Sequence, residues 1–284
     1  MNREKIWIPI LSALIVDIGL HFMWAPAPKY AVPVSGFVEN GWFLPVVIAL
    51  LLSTYIVLAL IFQLIQAKLP GTKLAKGLRF GIAFGGLMFI SSPAMSLLFG
   101  SPLNAELRIG LVDGCAICLL GLLLGQFTAT DGNSNQKAMF PHAVISILVV
   151  GLVYFLLHFL IYLALPSLFP PILTQSTETV LWILGVGLWI GLMNWFFQDA
   201  FSTGSFIFQA IGFACVAFGI FSLLNTLFAP VFVNAPIVIL LLNMVVGIFC
   251  VSIGVWTERI VRYQLLHESK EGMSITKNTY RQKN

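Results

Sequence analysis

The chain has 284 residues, of which 59% are hydrophobic and only 9% are charged, and its formal net charge is +4. A soluble domain carries about 25% charged residues, so this composition excludes an ordinary soluble protein. The mean hydropathy of +0.97 predicts a protein whose solvent is lipid, and no basic stretch is interleaved with aromatic residues in the way that would indicate nucleic-acid binding.

Eight apolar runs follow one another along the chain. Each has the length, about 17 to 25 residues, that crosses the hydrocarbon core of a bilayer as a helix. They cover residues 6–25, 42–65, 78–99, 107–127, 143–165, 180–199, 206–228 and 237–256. The sequence therefore predicts an all-α integral membrane protein with eight transmembrane helices in contact with the lipid bilayer.

The positive charges predict the orientation of these helices. With eight spans both termini lie on one side, and all but two of the 15 Lys and Arg residues, Lys29 and Arg108, fall on that side. Cytoplasmic loops carry the excess of Lys and Arg in membrane proteins. We therefore expect cytoplasmic N- and C-termini, in a plasma membrane or a bacterial inner membrane.

Several features recur about half a chain apart, which indicates a duplication. His21-Phe22 in the first span matches His158-Phe159 in the fifth. The other pairs with equal spacing are Asn104 and Asp113 with Asn234 and Asn243, and Trp42 and Tyr55 with Trp182 and Trp195. Since each unit has an even number of spans, both units point the same way.

The predicted organisation follows from this repeat. Two parallel four-helix repeats occupy residues 1–127 and 142–256. A polar cytoplasmic linker at 128–141 joins them, and a polar cytoplasmic tail at 257–284 follows.

Polar residues inside the spans are the candidates for a functional site, because an ionisable group there costs about 2.5 kcal/mol or more. Asp17 and His21 are four residues apart and share one helix face, and so do Tyr154 and His158. With Asp113 and Asn243 they all fall in the predicted outer half. The candidate substrate-binding residues are Asp17, His21, Asp113, Tyr154, His158 and Asn243. We expect one polar cluster between the two units, with His21 and His158 at the same depth.

This cluster favours a small-solute or ion permease, since Asp and His inside membrane carriers line ion and proton routes. Two alternatives stay open. His21 and His158 would suit a haem held axially, or a metal shared with Asp17, in a membrane redox component. A non-catalytic assembly protein would instead bind a membrane-protein partner or a second copy of itself. A structural explanation also stands, in which each polar residue only bonds a neighbouring helix and Asp113 pairs with Arg108.

An enzymatic function finds little support in the sequence. It contains no phosphate-binding Gly loop, no nucleophile elbow and no His-Glu-x-x-His zinc helix. Two carboxylates, Asp17 and Asp113, could share a proton as in aspartic proteases, but no further catalytic group accompanies them.

Small residues at helical spacing predict that several helices pack closely, backbone against backbone. The glycines assigned to this role are Gly81, Gly85, Gly110, Gly114, Gly121, Gly125, Gly187 and Gly191.

Overall fold

The computed structural model describes residues 3–25, 29–131, 140–166 and 176–281. Within these ranges the chain is all-α, with one isolated antiparallel bridge between Val34 and Val233. Eight of its helices are long and apolar enough to cross a membrane, as the sequence predicts, and the protein is therefore a multi-pass membrane protein. Residues 132–139, which form most of the predicted linker and include Lys137, lie outside the described residues.

The membrane helices are α1 (Trp7–Trp24), α2 (Phe43–Ile65), α3 (Lys73–Ser91, continued by Pro93–Phe99), α4 (Leu103–Thr128), α5 (Phe140–Ala164), α6 (Ser176–Phe197), α7 (Phe206–Phe232) and α8 (Ile237–Arg281). A 3₁₀ turn, Arg3–Ile6, precedes α1, and a short helix, Gly36–Glu39, lies between α1 and α2. A π-helical stretch, Phe213–Gly219, interrupts α7. Helix α8 continues past the span predicted to end at residue 256, into the segment predicted as a polar tail.

The ends of α3 show how local sequence sets helix boundaries. The Thr72 hydroxyl accepts a hydrogen bond from the Ala75 backbone N–H at 3.3 Å, which caps the first turn. At the break after Ser91, Pro93 supplies no N–H and begins the next helical segment. That segment ends at Gly100, whose φ of 69° is left-handed and favours glycine.

Aromatic rings from four helices form the centre of the bundle. Phe80 of α3 lies 5.1 Å from Phe62 of α2, measured between ring centroids. Phe84, also in α3, lies 5.8 Å from Phe197 of α6 and 5.5 Å from Phe221 of α7. All five side chains are buried. Helices α2, α3, α6 and α7 therefore share one core, whereas outward-facing residues such as Leu64 (67% exposed) present apolar surface that lipid would cover.

Helices α3 and α4 approach each other through glycines. A Cβ added to Gly85 would lie 2.5 Å from the carbonyl oxygen of Gly114, and one added to Gly81 would lie 2.8 Å from that of Cys118. Gly121 and Gly125 face Gly77 in the same way, and a Cβ at Gly110 would meet the Ser92 side chain at 2.5 Å. Only residues without a side chain permit this distance between two helix backbones.

The pair α5 and α6, in the second half of the chain, also packs closely through glycines. A Cβ at Gly187 would lie 2.7 Å from the Gly151 carbonyl oxygen, and one at Gly191 would lie 2.6 Å from Cα of Ile147. Here the Ser146 hydroxyl also donates a hydrogen bond to the Gly191 carbonyl at 3.0 Å.

Trp189 joins the two halves. Its indole N–H, from α6, donates a hydrogen bond to the Ala83 carbonyl of α3 at 2.9 Å. Its ring lies against Gly86, where an added Cβ would be only 1.8 Å from a ring atom. The two halves are thus held together by the aromatic core and by a tryptophan seated on a glycine.

The substitution Gly121→Ala tests the close approach of α3 and α4. Its Cβ would lie 2.6 Å from three backbone atoms of Gly77 and Gly81, which do not move independently of their helix. We expect a loss of about 1–3 kcal/mol in stability, typical of overpacking. Thermal unfolding in detergent measures it. Gly185→Ala is the matched control, because its Cβ would meet only Ile90 at an ordinary 3.5 Å; equal melting temperatures for the two variants would contradict the packing.

Candidate functional site

His21 lies between two carboxylates near the end of α1 that is distant from the N-terminus. Its Nδ1 donates a hydrogen bond to the backbone carbonyl of Asp17 at 3.1 Å and lies 3.2 Å from Oδ1 of the same residue. Its Nε2 lies 3.5 Å from Oδ1 of Asp113, which α4 contributes. Asp17 and His21 meet because residues four apart share a helix face.

Tyr55 of α2 completes this group. Its hydroxyl donates a hydrogen bond to Oδ2 of Asp17 at 2.6 Å. Asp17 is fully buried, and Tyr55 and Asp113 are nearly so, whereas one third of the His21 side chain is exposed. We call Asp17, His21, Tyr55 and Asp113 the acidic group; three helices build it, and it reaches the surface of the bundle at His21.

The acidic group carries more negative than positive charge. One ligand atom from each of Asp17, His21 and Asp113 can be chosen so that all three lie within 4.8 Å of one another. Two ionised carboxylates at this distance repel each other strongly in a buried setting, where a proton or a cation relieves the repulsion. In addition, Oδ1 of Asp17 accepts no hydrogen bond from any residue that the structure describes. The group is therefore arranged to take up positive charge.

A second group surrounds His158 in α5, and it is neutral. Tyr162 donates a hydrogen bond to Oδ1 of Asn243, in α8, at 2.6 Å. The His158 ring is buried between Tyr154 and Tyr162, at centroid distances of 4.9 and 4.6 Å, and lies beside Asn243. We call these four residues the neutral group. Asn243 is uncharged, whereas Asp113, the residue of α4 that faces His21, is a carboxylic acid.

The six residues expected in one cluster thus lie in two groups. The partners of His21 come from α1, α2 and α4, and those of His158 come from α5 and α8. Helix α1 packs mainly on α4 and α2, and α5 packs mainly on α6 and α8. The expectation of a single cluster between the units is corrected accordingly. The alternative pairing of Asp113 with Arg108 is also corrected, because Asp113 faces His21 while Arg108 is exposed on another face of α4.

The sequence interpretation missed two tyrosines in these groups. Tyr55 served only as a marker of the repeat, although a hydroxyl in an apolar span needs a hydrogen-bond partner. Tyr162 follows His158 by four residues and so extends the face that Tyr154 and His158 share. That spacing was the signal available in the sequence.

A buried ionic network lies at the opposite end of the bundle, and its charged residues, Glu258, Arg259 and Arg262, belong to the segment predicted as tail. Asn194 donates hydrogen bonds to the Ser146 hydroxyl at 2.8 Å and to Glu258 at 3.3 Å. Arg259 donates to the Asn194 side-chain oxygen at 3.2 Å and pairs with Glu258 at 3.4 Å. Arg262 pairs with the other Glu258 oxygen at 3.3 Å. These contacts tie α5, α6 and α8 together at one level.

Asp199, just beyond the end of α6, extends this network towards the first half of the chain. Burial raises the pKa of its carboxyl, and the positive charges of Arg262 and of Arg79 in α3 act in the opposite direction. Arg262 also donates a hydrogen bond to Gln198. The ionic network therefore reaches α3 across the boundary between the two halves.

Comparison with known proteins gives no match among protein-family models, curated proteins or solved structures.

A double-mutant cycle measures how strongly Tyr55 holds Asp17. Tyr55→Phe leaves a buried carboxylate oxygen without its donor, and hydrogen bonds to charged groups contribute about 1.5–3 kcal/mol. We expect a destabilisation of that size in the wild-type background and a smaller one when Asp17 is already Asn. Thermal unfolding in detergent of the four proteins gives the coupling energy. Additive effects would contradict a direct Tyr55–Asp17 interaction.

Proposed function

We propose that this protein is a small-solute or ion permease whose site is the acidic group, in the outer half of the bundle. One observation carries the proposal: His21 is held between two buried carboxylates inside the membrane-spanning region while a third of its side chain is exposed. Ionisable residues are costly in lipid and are characteristic of ion and substrate routes.

The helix pairing supports a parallel repeat, which is common among carriers. Helix α1 packs on α4 as α5 packs on α8, and α3 packs on α4 as α7 packs on α8. Across the halves, α3 packs on α6 as α7 packs on α2. We assign the neutral group to the position in the second unit that the acidic group has in the first, as a weaker part of the same route.

The ionic network supports a permease that is open on one side. In this network Glu258 and Arg259 of α8 are buried, and Arg259 is bonded to Asn194 of α6. The network lies at the end of the bundle where both termini lie. The excess of Lys and Arg there predicts that this end is cytoplasmic. The acidic group is then accessible from outside while the cytoplasmic end is closed, the arrangement that alternating access requires of one of its two states.

The two other functions receive less support. A haem or metal shared by His21 and His158 would need both imidazoles on one ligand, but each has its partners within its own unit, and the His158 ring is buried between two tyrosines. An assembly protein would use its small-residue stripes to bind partner helices. Here the stripes of α3 and α4 are already packed against each other.

Flux through proteoliposomes tests the proposal. The purified protein is reconstituted, and a panel of monovalent cations, divalent cations, anions and small neutral solutes is followed with entrapped ion-sensitive dyes or radiolabel. We expect at least one solute to cross faster than in protein-free liposomes. His21→Gln should abolish this flux, because it removes the group between the carboxylates, and His158→Gln should reduce it.

The matched control is His267→Gln, since His267 lies beyond the membrane-spanning part of α8. Flux through this variant should equal that of the wild type. If no solute of the panel crosses faster than through empty liposomes, or if His21→Gln keeps full flux, the proposed function is wrong.

A further inference from the structure

The orientation of the His21 ring leaves a gap between two electron-pair donors. Nδ1 lies 3.1 Å from the backbone carbonyl oxygen of Asp17 and 3.2 Å from Oδ1 of the same residue. A carbonyl oxygen accepts hydrogen bonds and cannot donate them, and the same holds for Oδ1 when the carboxylate is ionised. In the neutral ring the proton therefore sits on Nδ1. Nε2 then directs its lone pair towards Oδ1 of Asp113, 3.5 Å away. With the ring neutral and the Asp113 carboxylate ionised, two acceptors face each other, and a proton or a cation belongs between them.

The gap has the dimensions of a metal site. Two ligand atoms 3.5 Å apart, each about 2.1 Å from a common ion, subtend an angle of about 113°, close to the tetrahedral value. Nδ1 is bound by Asp17, whose other oxygen is held by Tyr55 at 2.6 Å. A metal-binding histidine almost always has this support, a carbonyl or carboxylate on its second nitrogen that fixes the tautomer and the ring orientation.

A second observation points to the same ligand. Asp17 is fully buried, and its Oδ1 accepts no hydrogen bond from the described residues although it belongs to the group in which one ligand atom per residue lies within 4.8 Å of the others. Nδ1 of His21 lies 3.2 Å from this oxygen, but two ionised carboxylates in one buried group need more positive charge than a neutral imidazole supplies. An ion between His21 and Asp113 would supply it, directly or through one bridging water.

Charge and chemistry narrow the class of ion. Asp17 and Asp113 together contribute two negative charges and the neutral imidazole contributes none, so a divalent cation makes the acidic group neutral, while a monovalent one leaves a net charge in the membrane. One imidazole nitrogen with carboxylate oxygens suits first-row metals such as Zn²⁺ and Mn²⁺ better than Mg²⁺, which prefers oxygen ligands alone.

We propose that Asp17, His21 and Asp113 bind a divalent first-row transition-metal ion between Nε2 of His21 and the Asp113 carboxylate. The exposed third of the His21 side chain gives the ion a route in. Few protein ligands surround it, so water completes the coordination and the ion exchanges, unlike the closed four-ligand shell of a structural zinc site. The metal site itself does not depend on the proposed function. The inference rests on that function in one respect, that the bound ion is the cargo of the permease.

Equilibrium binding tests the site independently of transport. The full-length protein, purified in detergent through a tag without histidine and freed of metal, is titrated with Zn²⁺ and with Mn²⁺ by calorimetry, and with Mg²⁺ for comparison. We expect one Zn²⁺ or Mn²⁺ per chain and much weaker binding of Mg²⁺. Co²⁺ should give visible absorption bands of a site with nitrogen and oxygen ligands.

Two substitutions keep the test decisive even if one of them impairs folding. His21→Gln and the isosteric Asp113→Asn should each lower the affinity by about tenfold or more, since even the partners that orient metal ligands contribute that much. His267→Gln is the control and should bind as the wild type does. The absence of stoichiometric Zn²⁺, Mn²⁺ or Co²⁺ binding, or full affinity in both substituted proteins, would overturn the metal site.

The two proposals fail in different ways. Flux of a non-metal solute without metal binding would overturn the metal site and keep the permease, with a proton filling the gap between Nε2 and Asp113. Stoichiometric binding that depends on His21 and Asp113, in a protein without flux of any solute, would support the metal site and overturn the permease.

Discussion

A charge carried into the membrane must find a partner on another helix, and this constraint governs the polar contacts of the bundle. Asp17 accepts a hydrogen bond from Tyr55 of α2, and His21 faces Asp113 of α4. Glu258 and Arg259 of α8 both form hydrogen bonds with Asn194 of α6. In lipid the alternative to such a contact is an unsatisfied polar group, which costs several kcal/mol. The contacts therefore fix the relative positions of helices whose apolar faces would otherwise pack in many registers.

Close backbone packing provides the rigid frame in which those contacts are made. The glycines of α3 and α4 set one helix pair, and those of α5 and α6 set another. Not every pair of consecutive helices packs in this way: α5 and α6 are in close contact, while α1 and α2 touch less extensively.

The two polar groups differ by their charge more than by their architecture. Each is centred on a histidine four residues from another polar residue of its own helix, and in each a residue of a second helix lies beside the histidine, Asp113 of α4 or Asn243 of α8. In the first, Asp17 and Asp113 surround the imidazole, while in the second Tyr154, Tyr162 and Asn243 do so. One group thus concentrates carboxylates around its histidine and the other does not, and the histidine of the first group, His21, is the one that is partly exposed.

The sequence by itself determined the all-α class and the eight spans, because each hydrophobic run has the length of the bilayer and too little charge for any other solvent. It also pointed to Asp17, His21 and Asp113, since ionisable residues stand out against an apolar background. Helical periodicity, however, specifies only neighbours within one helix. Whether His21 meets Asp113 or His158, that Tyr55 binds Asp17, and that Glu258 and Arg259 are buried depend on how the helices pack. Only the tertiary structure decided these points, because packing in lipid depends on the shapes of whole helix surfaces and not on the spacing within one segment.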